Sequence, residues 1–166
     1  MEMRIEIGAA RESELAAIVT IYNEVLTSST AIFSDVPVTL DERTRWWGAR
    51  LAQDYPVLVA RDASGVLGFA SFGDFRAWSG YRFTVEHSVH VRAEARGRGA
   101  GSALVRALIG RAAALGKHAM IGGVDAGNAA SIRFHERLGF EKGGELREVG
   151  YKFGRWLDLV FLQRRI

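Results

Sequence analysis

The sequence predicts an α/β (α+β) fold, with a mixed, mostly antiparallel twisted sheet flanked by about four helices, in one domain over residues 1–166. Three observations point there. Short runs rich in β-branched and aromatic residues alternate with longer runs whose apolar residues recur at helical spacing. The strand-like runs of the first half follow one another through tight turns, whereas those of the second half are separated by helices and so require a parallel crossover. A chain of 166 residues, 48% of them hydrophobic, fills one core and is short for two.

Met3–Ile7 alternates and reads as a short strand; Leu15, Ile18, Val19, Tyr22, Val25 and Leu26 then share a helical face. TSSTAIFSDVPV is polar and aperiodic, and a loop of this kind between two helices is expected to lie over a pocket. Thr39, with Glu42 three residues on, gives a capping-box start to a second helix carrying Trp46, Trp47 and Leu51. PVLVARD, the turn ASG and VLGFASFGDF form a hairpin, and YRFTVEHSVHV adds a third antiparallel strand. A helix follows residues 95–101 and stops at Gly116, HAMIGGVD is a buried strand, and Asn128 starts a helix that ends at Leu138–Gly139. The tail GYKFGRWLDLVFLQ is strand-like. No internal repeat, low-complexity segment or linker interrupts this order.

Composition excludes several classes. The chain has no cysteine, which removes disulfides, thiolate catalysis and cysteine-ligated metals together. A formal charge of +3, with 19 acidic residues dispersed among the basic ones, suits a local anionic ligand better than a nucleic-acid surface. No apolar run approaches the roughly 20 residues of a membrane span, and no basic-then-apolar signal pattern opens the chain. A cytoplasmic location, with no membrane partner, is the expectation.

Residues 95–101 read ARGRGAG at the mouth of a helix. The first turn of a helix leaves backbone N–H groups unpaired and carries partial positive charge, and glycines let an anion approach them. From the residues alone the stretch is either an anion cradle or a sharp turn flanked by solvated arginines. It is neither a P-loop nor a dinucleotide fingerprint: no Gly-Lys pair precedes Ser or Thr, and the third glycine of G-x-G-x-x-G is replaced by Ser102 or Leu104.

Three pieces then fall in one order: a strand ending Val89-His90-Val91, the loop Arg96-Gly97-Arg98-Gly99-Ala100-Gly101 leading into Ser102, and a later helix with Asn128, Ser131 and His135 before Gly139-Phe140. This order resembles the GNAT superfamily of acetyl-CoA-dependent N-acetyltransferases. The phrases TVEHSVHV, NAASIRFH and KFGRWLD resemble its phosphinothricin and methionine sulfoximine acetyltransferase branch, and the likeness covers nearly the whole chain. The resemblance implies the GNAT fold, acetyl-CoA as cosubstrate and no metal. It implies that amides around Gly97, Gly99 and Gly101, with Ala100 and Ser102, meet the pyrophosphate while Arg96 or Arg98 adds charge. It also implies that the main chain of Val89, His90 and Val91 pairs with the pantetheine arm, and that Asn128, Ser131 and His135 contribute to cofactor binding.

Acetyl transfer to an amine needs an acceptor for the amine's proton and stabilisation of developing oxyanion and thiolate charge. Strand alternation puts Thr84, Glu86 and Ser88 on one face and Val85, His87, Val89 and Val91 on the other. Glu86 taken alone reads as a solvated residue on an exposed face; the resemblance makes it the general base. His135 stands where the superfamily usually has tyrosine, and is either an acid for the leaving thiolate, a cofactor contact or a helix-surface histidine. HERLG lacks the second histidine of a zinc motif, and His87 and His90, three apart on a strand, point to opposite faces.

For the acceptor, the resemblance points to Arg76, Ala77, Trp78, Tyr81, Glu86, His87, Ser88, Asp125, Ala126 and Gly127. Arginine suits a carboxylate or phosphinate, and Asp125 suits an α-amino group. RAW at 76–78 departs from the branch's usual segment, which leaves the acceptor open among phosphinothricin, methionine sulfoximine and methionine sulfone types. Another amine, a protein N-terminus, or a non-catalytic acyl-CoA sensor are the alternatives. The branch is dimeric, so a homodimer is expected.

Overall fold

Two periodicities in the sequence become one sheet with helices on both faces. The computed structural model describes residues 4–166. Its elements are β1 (Glu6–Ala9), α1 (Leu15–Ser28), α2 (Leu40–Ala52), β2 (Val57–Asp62), β3 (Gly65–Asp74), β4 (Thr84–Val91), α3 (Ala100–Ala114), β5 (Ala119–Asp125), α4 (Ala129–Arg137), β6 (Glu141–Lys152) and β7 (Arg155–Arg165). Among the described residues the strands form one seven-stranded sheet, ordered β1-β2-β3-β4-β5-β7-β6. Neighbours are antiparallel except β4 and β5, which run parallel because α3 crosses between them. No helix among the described residues is long and apolar enough to cross a membrane.

The central strands read as continuous apolar runs because both of their faces are covered. On β2, Leu58 and Ala60 join the core under α3 and α4, while Val57 and Val59 join the core under α1 and α2. Leu104, Val105, Leu108 and Ala112 are the inward stripe of α3; Leu15, Ile18 and Ile21 are that of α1. The capping box read at Thr39 forms, with Glu42 N–H donating to the Thr39 hydroxyl and Thr39 N–H to the Glu42 carboxylate. Gly116 ends α3 at φ 71°, in the left-handed region.

Two readings change. The first strand lies at Glu6–Ala9 and not at Met3–Ile7; Met3 is outside the described residues. The strand-like tail divides between two strands, β6 and β7. Phe153 and Gly154 have φ of 52° and 73°, and two successive left-handed residues make the tight turn whose twist suits a hairpin. The turn is hard to read because phenylalanine rarely adopts that conformation, and because the first ten residues of β6, EKGGELREVG, are rich in charge and glycine.

Candidate active site

The sheet opens where β4 and β5 part. Thr84–His87 pair with Ala119–Gly122, and pairing stops there although β4 runs on to Val91 and β5 to Asp125. Phe75 N–H donates to Thr84 and Arg92 N–H to Leu67, which fixes the antiparallel ladder between β3 and β4. Even-numbered residues of β4 therefore turn their main chain toward β3, and odd-numbered ones toward β5. Beyond the split, the N–H and C=O groups of Val89 and the N–H of Val91 face a cleft with no ladder partner. The Val91 carbonyl accepts from Arg96 Nε at 3.3 Å. Main-chain groups left so at the edge of a cavity are free to pair with a ligand that carries amide-like partners.

The cleft leads to the start of α3. Gly97 and Gly99 have φ of 76° and 86°, Gly99 is the N-cap residue, and no side chain caps the helix. Nothing lies within 4 Å of where a Cβ would stand on either glycine, so the approach to the unpaired N–H groups is clear. Gly97, Gly99, Ala100, Gly101, Ser102 and Arg96 all line a cavity of about 1130 Å³ that continues to Glu86 and His135. An open, uncapped helix N-terminus joined to unpaired strand edges fits a long ligand with a phosphate at one end.

At the apex of the split stands a pair of imidazoles. His87 lies directly across from Gly122 in the β4–β5 register. A Cβ on Gly122 would stand 2.9 Å from His87 Nε2 and 3.1 Å from His135 Nε2, so the glycine makes room for both rings. The two Nε2 atoms are 3.1 Å apart, and His135 Nδ1 is 2.7 Å from the Ser131 carbonyl oxygen. A carbonyl only accepts, so Nδ1 of His135 carries the proton; its Nε2 in the neutral ring then accepts from His87 Nε2–H. His87 Nδ1 is left as a buried acceptor without a partner. Burial pulls the pKa of both rings down, aided at His87 by the charges His135 and His90 would carry and opposed at His135 by the Ser131 carbonyl.

Glu86 sits on the other face of β4 and lines two cavities at once. The second, of about 360 Å³, is bounded by Ala31, Phe33, Phe75, Arg76, Gly123, Leu159 and Phe161. Burial raises the Glu86 pKa and the positive charge of Arg76 partly offsets this. A half-buried carboxylate thus stands where a large cavity with an anion-ready end meets a small one carrying a guanidinium.

The sequence pattern of the acetyltransferase (GNAT) family matches residues 18–140. The chain belongs to the GNAT family. As a GNAT protein it is an acetyl-CoA-dependent acyltransferase. It is 52% identical over 162 residues to an L-methionine sulfoximine/L-methionine sulfone acetyltransferase of Pseudomonas paraeruginosa, covering 97% of this chain and 94% of that one. It is 38% identical over 159 residues to a phosphinothricin N-acetyltransferase of Alcaligenes faecalis, covering 95% and 81% respectively. The crystal structure of a GNAT superfamily phosphinothricin acetyltransferase from Sinorhizobium meliloti in complex with acetyl-CoA superposes with a TM-score of 0.94 at 37% identity, over 99% of this chain and 89% of that one.

Within this GNAT site the residues expected from sequence divide. Glu86, His87, Ser88, Val89, His90, Val91, Asp125, Asn128, Ser131 and His135 line the large cavity with the α3 loop, and Arg76 lines the small one. Arg98 does neither: its guanidinium pairs with Asp62 at 2.9 Å, and hydrogen bonds from Ser64 and Arg98 hold that carboxyl down at about 2. Arg96 is therefore the loop arginine that faces the cavity. Ala77, Trp78, Tyr81, Ala126 and Gly127 line neither cavity, and Trp78 is 74% exposed. His135 is not on the helix surface, being 4% exposed. Both Asp125 oxygens are engaged, one by Gly127 N–H at 2.9 Å and the other by the Thr30 hydroxyl. His87 and His90 do face opposite ways, His90 packing on Phe69 and Tyr22.

Sequence reasoning missed the wall opposite the cleft. Arg43 lies 4.3 Å above the Tyr22 ring and 4.5 Å above the Trp46 ring, and all three line the large cavity. Trp46 gave a sign as an apolar residue of the predicted second helix; Arg43 gave none. It also missed Gly122, whose role is set by two histidines distant in sequence.

Gly122→Ala is expected to lower stability by about 1–3 kcal/mol, the usual penalty of overpacking, because the new Cβ would stand 2.9 Å from His87 Nε2 and 3.1 Å from His135 Nε2 and both rings would have to shift. Thermal unfolding checks this, and the Nε2 proton signals of His87 in NMR should move as the pair separates.

Proposed function

We propose that the chain transfers the acetyl group of acetyl-CoA directly to the α-amino group of small amino-acid analogues of the methionine sulfoximine, methionine sulfone and phosphinothricin type, with Glu86 as general base. One observation carries the reading: Glu86 stands at the junction between the cavity with phosphate-ready and amide-ready surfaces and the cavity that carries Arg76. Relatives named for these acceptors at 52% and 38% identity support the substrate class.

Acetyl-CoA supplies an acetyl group activated as a thioester. The backbone N–H groups at the start of α3, with Arg96, take up its phosphate charge, and Val89 and Val91 hold its amide-bearing arm through main-chain hydrogen bonds. Arg76 orients the acceptor through a carboxylate or phosphinate. As the C–N bond would form and the thioester C–S bond break, with coenzyme A leaving as its thiolate, Glu86, its pKa raised by burial, takes the proton that the acceptor nitrogen gives up. Asp125 acts from one step back, its carboxylate holding Thr30 and the turn at Gly127 in place. His135 in its neutral form offers no proton at Nε2, so it serves as a positioning and contact residue for the cofactor end and not as the acid.

The aromatic phrase KFGRWLD serves assembly. Tyr151, Phe153 and Trp156 are exposed on the β6–β7 hairpin together with Leu146 and Val149, and β6 is an edge strand of the sheet. A second copy covers it. Sedimentation at micromolar concentration should give a dimer, and Trp156→Glu a monomer; a wild-type monomer with full activity would remove the idea.

Glu86→Gln should keep the fold and acetyl-CoA affinity while turnover at pH 7 drops by about 10²–10⁴, the worth of a positioned base. The loss should shrink at high pH, where the free amine has already shed its proton. In the wild type kcat/KM should fall with pH through an inflection above the ordinary 4.5, since burial raises the Glu86 pKa. Arg76→Met removes the opposing charge and should move that inflection higher. Near-normal turnover of Glu86→Gln at pH 7 would exclude the base assignment.

A further inference from the structure

Lys152 belongs to the KFGRWLD phrase but not to its exposed patch. It is 1% exposed. Its ammonium donates to three backbone carbonyls, those of Leu26 at 2.6 Å, Ser29 at 2.8 Å and Ile32 at 2.8 Å. Three protons thus meet three acceptors, and the charge lies at the C-terminal end of α1, where helix carbonyls have no partner of their own and the dipole is negative. No carboxylate takes part in these bonds, so the contact is not a salt bridge. It is a clasp between β6 and the segment that leaves α1.

That segment is a wall of both cavities. Ser29, Ala31 and Ile32 line the large one, and Ala31 and Phe33 line the small one. Two further contacts fix it. The Thr30 hydroxyl donates to Asp125 at the end of β5, and the Phe33 ring packs so closely on β6 that a Cβ on Gly150 would come within 2.5 Å of it. Lys152 differs from these in holding three carbonyls across the whole bend. Its partners lie 120 to 126 residues away in sequence, so no local preference of the loop replaces it.

We propose that Lys152 is a positioning residue for the acceptor end of the site, holding residues 29–33 against β6 so that Ala31 and Phe33 bound the small cavity opposite Glu86. The proposal rests on the reading that this junction is where the acceptor amine binds. Lys152 touches no ligand. Its effect passes through the loop; the loop shares the large cavity with the cofactor end, but the start of α3 and the β4 edge that form that end make no hydrogen bond to Lys152.

Lys152→Met, which keeps the length and removes the donors, tests this in the full-length protein. Amide hydrogen exchange in residues 29–33 should accelerate at least tenfold while α3 is unchanged. The acceptor KM, with methionine sulfoximine as probe, should rise at least tenfold with a smaller change in kcat, and acetyl-CoA affinity by calorimetry should stay within about twofold. A folded Lys152→Met protein with wild-type loop exchange and wild-type acceptor KM would overturn the proposal; so would an equal loss of acetyl-CoA affinity. Should Lys152→Met fail to fold, Thr30→Val loosens the same loop at its other anchor and must raise acceptor KM with the same exchange signature, or the loop does not govern acceptor binding. A wild-type protein that binds acetyl-CoA but acetylates no amino-acid analogue would defeat the functional reading instead, and the exchange comparison would still decide whether Lys152 holds the loop.

Discussion

The point at which β4 and β5 cease to pair determines what this molecule does. A parallel pair costs a crossover helix, and here that helix starts just past the end of β4, so the split strands and the uncapped N-terminus of α3 open onto one cavity. Main-chain donors shut away from water are normally paired within the protein, whereas those at the edge of a cleft are met by water. The edge at Val89 and Val91 and the first turn of α3 together hold such groups toward a common space. A ligand carrying both amides and phosphate can replace that water with matched partners already held in place, which is why a fold that looks incomplete along one seam is a good receptor for a coenzyme.

The split needs something to hold it open at its apex. Side chains of ordinary size across from His87 would force the rings out, and Gly122 avoids this. The result is a desolvated, neutral imidazole pair whose proton order is set by one carbonyl, that of Ser131. The two faces of β4 then carry different groups. His87 faces His135 of α4, whereas Glu86 reaches the small cavity as well as the large one that both residues line. One strand therefore presents an imidazole on one face and a carboxylate on the other by the alternation of its side chains alone.

Much of this was legible in the sequence where the governing interactions are local. The capping box at Thr39, the glycines before α3, the opposite facing of His87 and His90, and the placement of Glu86 apart from Val89 all follow from spacing within one element. What was not legible depends on contacts between distant segments. Nothing in ARGRGAG says that Arg98 will turn to Asp62 while Arg96 faces the cavity. The burial of His135 requires Gly122 on another strand, and the burial of Lys152 requires three carbonyls at the end of α1. The hairpin turn at Phe153-Gly154 escaped notice because a phenylalanine in a left-handed conformation contradicts local preference and is sustained by the pairing on either side of it. Asp125 looked free to hold an amine because its engagement by Thr30 joins residues 95 apart in sequence.

On the proposed reading, the unpaired edge of β4 receives the coenzyme through its main chain. Residue-specific amide exchange at Val89 and Val91, with and without saturating acetyl-CoA, tests it most directly because no substitution is needed. Both amides should exchange readily in the free protein and slow by at least tenfold on binding, while His90, already bonded to β3, changes little. Tight acetyl-CoA binding with no protection at Val89 or Val91 would contradict the account and place the coenzyme elsewhere than in the split.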